Sequence, residues 1–504
     1  MRLFHAITLL AATSGSAFGQ GLFPALVSDS AGDRIMSCVD LDQNGDYAGS
    51  GEVTVFYDDV TGAFPLSNNV GLQRLPTGEV FVTDTSQDTI LALRDTNLDG
   101  DALDFGEASI WFDGTGGNPT GVELTSARGM WIDPGGVLWV ASANSGGGGN
   151  DAIVRLEDLN GDGDANDTNE QAEYYVIQPG GAIGDSIPTA VSRGPDGALY
   201  YVDTGSTGTL TKGVYRLEDL DGSGTIDAPG ESTLFYAPPT PGTAPFFWDL
   251  GLDDQGRFYI ADTGNDVIWR FFDTNGDGIV NPGTEADLIF QAPGSSLIWE
   301  VTPAADGSIY VAEDQSPDRL LRFVDTDGDG LFLTAGEVQT IYDESTAASD
   351  IGSPKAIFVI DQVGPIGTAE CDPAVPNSTG LPGTLSAFGS TSILTNQVTL
   401  QADQLPPNTF GIFVVARQSG SQAPPMSDGI LCMSGPIGRY QGTILSSGAS
   451  GQFHFNIDAT AISQPNGPVP AMAGDTWRFQ AWHRDANPLA TSNFTSAVAI
   501  TFTP

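Results

Sequence analysis

Six segments of thirteen residues place oxygen-bearing side chains at alternate positions along the chain. Each segment begins with Asp, carries a carboxylate, an amide or a hydroxyl at positions 3 and 5, has Gly at position 6 and ends with Glu. Oxygen ligands at alternate positions, a Gly where the backbone turns sharply and a distal Glu are what a loop needs to wrap a calcium ion. One such match carries little weight, whereas six in register indicate a calcium-binding repeat.

The candidate ligands stand at positions 1, 3, 5, 7 and 13 of each segment. They are Asp40, Asp42, Asn44, Asp46 and Glu52; Asp95, Asn97, Asp99, Asp101 and Glu107; Asp158, Asn160, Asp162, Asp164 and Glu170; Asp219, Asp221, Ser223, Thr225 and Glu231; Asp273, Asn275, Asp277, Ile279 and Glu285; and Asp325, Asp327, Asp329, Leu331 and Glu337. We number these segments loop 1 to loop 6.

The loops resemble the calcium loops of EF-hands and dockerins, with two differences. Glu stands at position 13 instead of 12, and predicted strands flank each loop where an EF-hand has helices. The resemblance therefore implies a strand–loop–strand calcium site and not a sensor that opens a helix pair. Because of the extra residue, Asp104 and Asp167 at position 10, or Asp227 and Asn281 at position 9, are alternative ligands. Ser223 is the weakest position 5, so we expect loop 4 to bind calcium least tightly.

The charge balance limits the partners of this protein. The chain has 504 residues, with 64 acidic and 18 basic side chains and a formal net charge of -46. Nucleic acid is not an expected partner, because phosphate contacts need clustered Lys and Arg. Several carboxylates in one loop repel each other unless a cation lies among them, so bound calcium would explain how the fold tolerates this charge.

Residues 1–19 predict a secretory signal peptide. Arg2 supplies the positive end, a short apolar stretch follows, and Ala17 and Gly19 are small residues before a cleavage site at Gln20. No stretch is long and uncharged enough to span a bilayer. We therefore expect an exported protein, secreted or at the cell surface, whose partner is a protein or glycan ligand outside the cell.

Between the loops, the chain repeats one pattern of four short strands. A Gly-led strand such as 256–262 is preceded by a short strand and followed by an Arg-bearing strand, the acidic loop and a further strand. Four short strands per repeat are typical of a propeller blade. Residues 25–57 supply three strands and residues 354–359 an innermost fourth, so both ends complete one blade and close the ring. We predict an all-β chain with a six-bladed β-propeller over residues 20–363.

The strand phrases that end at Asp84, Asp203 and Asp262 resemble those of NHL-type and gluconolactonase-like six-bladed propellers. Such families include scaffolds, ligand binders, lactonases and lyases. The resemblance therefore implies the fold and leaves the activity open.

The C-terminal region has a different composition. Residues 364–376 are rich in Gly and Pro and predict a linker, and alternating stretches after residue 377 predict a β-sandwich over 377–504. Cys371 and Cys432 are the expected disulfide, because both fall in this region, and Cys38 is the expected buried free thiol. This region resembles a C-terminal module of secreted bacterial proteins, carried by the two cysteines and by residues 474–477 and 482–485.

The sequence argues against an active site in the propeller. His5 lies in the signal segment, and His454 and His483 lie in the C-terminal region, so the propeller has no imidazole for acid–base chemistry. We predict a calcium-binding structural or binding module with no catalytic residues.

The alternative is a calcium-dependent lactonase or hydrolase, which the propeller resemblance implies. Its metal would lie in the channel at Asp249 and Glu300. The remaining candidates are Arg128 and Lys355 as substrate contacts, Asn144 further out, and Trp248 and Trp299 as an aromatic wall. The competing interpretation, which we favour, is that both tryptophans pack the channel and that the charges are solvated at its rim, because two acids at matching repeat positions can arise from repetition alone.

Overall fold

The computed structural model consists of β-strands joined by turns, and no helix occurs among the residues it describes. The described residues are 22–75, 78–97, 99–115, 121–133, 136–143, 151–177, 186–205, 211–239, 245–253, 255–294, 296–360, 366–393, 398–425, 427–441, 444–448, 451–486 and 490–503. The predicted signal peptide and Asn144 lie outside them. Within them, no helix is long and apolar enough to cross a membrane.

Twenty-four strands form six antiparallel sheets of four strands each. In chain order they are β1 (Ala25–Asp29), β2 (Arg34–Cys38), β3 (Val53–Asp58), β4 (Asn69–Arg74), β5 (Val80–Asp84), β6 (Thr89–Leu93), β7 (Ala108–Asp113), β8 (Ala127–Ile132), β9 (Leu138–Ser142), β10 (Ala152–Leu156), β11 (Gln171–Val176), β12 (Pro188–Arg193), β13 (Leu199–Asp203), β14 (Gly213–Leu217), β15 (Ser232–Tyr236), β16 (Phe247–Leu252), β17 (Phe258–Asp262), β18 (Val267–Phe271), β19 (Ala286–Gln291), β20 (Ile298–Pro303), β21 (Ile309–Glu313), β22 (Arg319–Phe323), β23 (Val338–Asp343) and β24 (Pro354–Val359).

These sheets are the blades of a closed six-bladed propeller. From the innermost strand outwards, blade 1 is β24-β1-β2-β3, and blades 2 to 6 are β4 to β7, β8 to β11, β12 to β15, β16 to β19 and β20 to β23. Each innermost strand packs beside those of the two neighbouring blades, and β24 also contacts β4, so the ring closes. Ala25 pairs with Val359 in blade 1. The prediction that the two ends share one blade is confirmed.

The blades stack face to face through apolar side chains. The second strand is buried along its whole length in every blade except blade 3, because a neighbouring blade covers each of its faces. A short run such as Phe258–Asp262 can therefore be apolar on both faces, as expected for a fully buried strand. Cys38 is a free, buried thiol in this core.

A buried acid ends the second strand in five of the six blades. These residues are Asp29, Asp84, Asp203, Asp262 and Glu313, and Ser142 takes the place in blade 3. Asp262 accepts hydrogen bonds from the N–H of Phe246 at 3.0 Å and from Gly264 and Asn265 in the following turn. The acid thus ties the turn after the second strand to the chain that enters the same blade, which accounts for the repeated Asp phrases in the sequence.

A β-sandwich follows the propeller. Its strands are β25 (Thr368–Glu370), β26 (Thr384–Gly389), β27 (Val398–Asp403), β28 (Phe410–Ala416), β29 (Gln418–Gln422), β30 (Leu431–Ser434), β31 (Gly438–Arg439), β32 (Leu445–Ser446), β33 (Phe453–Ile457), β34 (Thr476–Ala486) and β35 (Ala490–Thr501). One large sheet runs β25-β35-β34-β28-β31, with β32 beside β28, and a second runs β26-β27-β33, while β29 and β30 form a two-stranded sheet. A shared apolar core that includes Leu400, Phe413 and Trp477 joins the first two sheets.

Within the predicted linker, residues 366–376 are described, and they take part in this second domain, whereas residues 364 and 365 lie outside the described residues. Ile366 donates its N–H to the carbonyl of Ala387, and β25 pairs with β35 as an edge strand. Cys371 forms the expected disulfide with Cys432. The Gly and Pro content of this stretch predicted a linker, and it gave no sign of the three-residue strand β25.

Candidate functional site

The six acidic loops occupy equivalent places in the six blades. Each connects the third strand of its blade to the fourth, and because strands alternate in direction, all six emerge on one face of the ring. The residue before each loop donates its N–H to the carbonyl of the closing Glu, as Val39 does to Glu52 at 2.8 Å. The strand pair therefore fixes both ends of the loop.

Inside every loop, the Asp at position 1 accepts a hydrogen bond from the N–H of the Gly at position 6. The six distances lie between 2.8 and 3.1 Å. All six glycines have positive φ, from +75° at Gly330 to +105° at Gly100, which L-residues rarely adopt. The Gly in the sequence pattern is therefore a backbone requirement.

The Glu at position 13 is buried in all six loops and closes the loop from inside. Its Oε1 accepts the N–H of position 2, and its Oε2 accepts an N–H from position 9 or 10. Hydrogen bonds from Asn281 and Thr274 lower the pKa of Glu285 to about 2. The Glu285 carboxylate therefore stays ionised at neutral pH and retains lone pairs for a cation.

Three carboxylates lie close together in the loops that have Asp at position 3. In loops 1, 4 and 6, oxygens from positions 1, 3 and 13 all lie within 4.8 Å of one another. Position 3 of loops 2, 3 and 5 is an amide, Asn97, Asn160 or Asn275. Three or more hard oxygen donors around one point suit calcium, so the residues present fit this ion.

The alternative ligands at positions 9 and 10 lie close to the predicted ones. The side-chain amides of Asn97 and Asn160 donate to Asp104 and Asp167 at 2.6 and 2.7 Å. In loop 4, the hydroxyl of Ser223 donates to the carbonyl of Thr225 at 3.0 Å. That the Ser at position 5 makes loop 4 bind calcium least tightly stays a prediction.

Position 8 is the loop position that the sequence analysis missed. Its residues are Tyr47, Ala102, Ala165, Ile226, Val280 and Phe332, and all six are buried. Each donates its N–H to a carbonyl in the outermost strand of the preceding blade, at 2.7 to 3.1 Å. The signal was available, because position 8 is apolar or aromatic in every loop.

The second candidate site is the channel lined by the innermost strands. It holds a cavity of about 320 Å³ whose lining includes Trp248, Asp249 and Glu300, together with Ser390 and Thr460 of the sandwich. The third residue of each innermost strand is Gly71, Gly129, Ala190, Asp249, Glu300 or Ala356, in blade order from 2 through 6 to 1. Gly or Ala occupies this position in four blades, so the two acids of the adjacent blades 5 and 6 depart from the commoner residue.

Two tryptophans and two cations lie beside these acids. Trp248 and Trp299 meet edge to face, with ring centroids 4.4 Å apart. Arg128 lies 5.0 Å from the ring centre of Trp248, and the Nζ of Lys355 lies 3.7 Å from that of Trp299. Lys355 also forms an ion pair with Asp314. Such cation–π contacts hold the two rings in place.

The two channel acids are surrounded by protein although each keeps contact with the cavity. Asp249 accepts the N–H of Val301 at 3.0 Å. Burial raises the pKa of Asp249 to about 6, and burial together with the charge of Asp249 raises the pKa of Glu300 well above its ordinary value. Among the described residues no third acid, Cys or His joins them in a metal cluster. Burial and mutual repulsion therefore favour protonation of this pair.

No protein-family model matches the chain, and no curated protein matches it. Among solved structures, a gluconolactonase from Xanthomonas campestris is 14% identical, with a TM-score of 0.38, over 58% of this chain and 84% of that chain. The virginiamycin B lyase from Staphylococcus aureus is 15% identical, with a TM-score of 0.33, over 66% and 80%. Regucalcin, a calcium-binding protein from Agrobacterium tumefaciens, is 13% identical, with a TM-score of 0.34, over 66% and 81%. Similarity at this level assigns none of these activities to the chain.

Proposed function

We propose that this protein is an exported calcium-binding propeller that acts as a structural or binding module. The observation that carries the proposal is the geometry common to all six loops. In each loop, backbone N–H groups hold Asp at position 1 and a buried Glu at position 13. In loops 1, 4 and 6, oxygens of these two residues and of position 3 lie within 4.8 Å of one another. The partner would be a protein or glycan outside the cell.

Electrostatics support a cation in these loops. Gathered carboxylates repel each other, and a divalent ion among them converts that repulsion into attraction. A metal that binds only the folded protein stabilises it by mass action, by about 3 kcal/mol per site at one hundred times the dissociation constant. Calcium is therefore expected to contribute to the stability of the whole ring.

Chelation of the full-length protein tests this function. Scanning calorimetry with calcium, and then with excess chelator, should show the propeller melting at a markedly lower temperature without the metal. The sandwich carries none of the six loops, so its transition serves as an internal reference. Equal melting temperatures for the propeller in both buffers would rule the proposal out.

The lactonase or hydrolase alternative rests on the two channel acids. They stand at the third position of two innermost strands, where the other four innermost strands have Gly or Ala. A screen of lactones and phosphoesters, repeated with Asp249→Asn and Glu300→Gln, tests it. Turnover that both substitutions abolish, in variants that still fold, would support the enzyme. Turnover that both variants retain would show that Asp249 and Glu300 do not carry out the reaction.

A further inference from the structure

Each outermost strand contains one β-bulge, and this bulge faces the acidic loop of the next blade. The bulged residues are Phe56, Trp111, Tyr174, Phe235, Ile289 and Ile341. A bulge leaves one residue outside the regular ladder. In all six blades the carbonyl of that residue accepts the N–H of position 8 of the following loop, as Ile289 accepts from Phe332 at 3.1 Å.

The side chain at position 8 packs into the same junction. Phe332 belongs to an apolar cluster with Ile289 and Phe290 of blade 5, and Val280 to one with Phe235 and Tyr236 of blade 4. Loop 6 makes a second such contact, because Arg270 of blade 5 donates to the carbonyl of Gly330 at 2.7 Å. The loops therefore connect neighbouring blades as well as strands within one blade.

The calcium ligand at position 7 and the donor at position 8 belong to one peptide group. A loop of this type takes a backbone carbonyl from position 7, which fits the apolar Ile279 and Leu331 at that position. In a trans peptide the C=O and N–H point in opposite directions. A cation on the carbonyl of position 7 therefore fixes and polarises the N–H that reaches the preceding blade.

We infer that each acidic loop is a calcium-dependent clasp that joins its blade to the preceding one. This inference rests on the proposed calcium binding and adds what the metal controls. With calcium bound, six equivalent clasps encircle the ring. Without it, the position 8 amide loses its fixed orientation, and neighbouring blades separate more easily along their outer strands.

Hydrogen–deuterium exchange on the full-length protein tests the clasp. Peptides that contain position 8, and peptides that cover the outermost strands, are compared with calcium and with chelator, while bound calcium is counted by elemental analysis. Chelation should speed exchange at position 8 by about five- to tenfold, the change expected for losing one hydrogen bond. The outermost strand of the preceding blade should exchange faster as well.

A single-site variant localises the effect. Asp325→Asn removes the negative charge of one ligand carboxylate from loop 6. In saturating calcium, the amides of Phe332 and of β19 in blade 5 should exchange faster in this variant, and the junctions between the other blades should stay protected. Asp350→Asn, an exposed acid on the opposite face of blade 6, makes the same charge change and should alter neither. If calcium binds but β19 keeps its protection in both experiments, the clasp is wrong and calcium binding stands. If no calcium binds, both proposals fail.

Discussion

In each acidic loop a few residues have separate tasks. Asp at position 1 holds the turn, Gly at position 6 supplies the positive φ, and Glu at position 13 closes the loop from inside. These tasks are set by backbone geometry before any ion binds. A substitution can therefore damage the loop without removing a ligand.

The glycine at position 6 of loop 5 permits a matched test. Gly278 has φ of +81°, and nothing lies within 4 Å of an added Cβ, so Gly278→Ala would introduce backbone strain and no steric clash. We expect a loss of about 1–2 kcal/mol in chemical denaturation with chelator present. Gly283→Ala in the same loop also has open space and no positive φ, so it should change little. Equal losses for both variants would contradict this explanation.

The channel acids predict an unusual pH dependence. Because burial raises the pKa of Asp249 to about 6, its contribution to stability is present below the ordinary pKa and is lost as the pH rises through 6. Asp249→Asn should therefore stabilise the protein relative to wild type at pH 8 by about 1–3 kcal/mol, and much less at pH 4.

Urea denaturation at the two pH values measures this difference, with the exposed Asp59→Asn as the control. A pH-independent effect of Asp249→Asn would contradict the pKa argument. Destabilisation seen only in calcium buffer would instead support a channel metal.

At the scale of the element, the blade shows how much the sequence revealed. The strand pattern, the loop positions and the shared first blade followed from alternation and turn residues, which are local signals. The bulges did not, because they depend on the register of the two paired strands. The bonds from position 8 and the strand at Thr368–Glu370 did not, because each depends on a partner far along the chain. Asp249 and Glu300 were channel candidates from the sequence, and the aligned innermost strands added that the other four blades carry Gly or Ala at the same position.

The buried acid at the end of the second strand is expected to be a stability determinant of its blade. Asp262→Ala would leave the N–H groups of Phe246 and Gly264 without their acceptor, which costs about 2–4 kcal/mol when several such bonds are lost. Asp287→Ala removes an exposed acid paired with Arg270 and should cost less than about 1 kcal/mol. Denaturation in urea compares the two, and a similar loss for both would contradict the assigned role of Asp262.

At the scale of the whole molecule, the net charge of -46 makes the stability of the protein depend on the ions in solution. Without calcium, the gathered carboxylates repel, and monovalent salt screens them only partly. Raising sodium chloride from about 0.1 M to about 1 M shortens the screening length from about 10 Å to about 3 Å.

The melting temperature of the calcium-free propeller should therefore rise with salt by several degrees. In saturating calcium the rise should be smaller, because the loops are already neutralised. Calorimetry at both salt concentrations measures the difference, and the sandwich transition again serves as reference. A calcium-free propeller that is insensitive to salt would show that the loop charges do not limit its stability.

The shared first blade also sets an order of events during synthesis. Strand β1 lacks its inner neighbour until residues 354–359 leave the ribosome, so five complete sheets can form while this edge is still open. Joining Ala25 to Val359 is a contact of very long sequence separation, and such contacts form slowly. The newly made chain therefore has a vulnerable interval that ends when its own distant segment arrives.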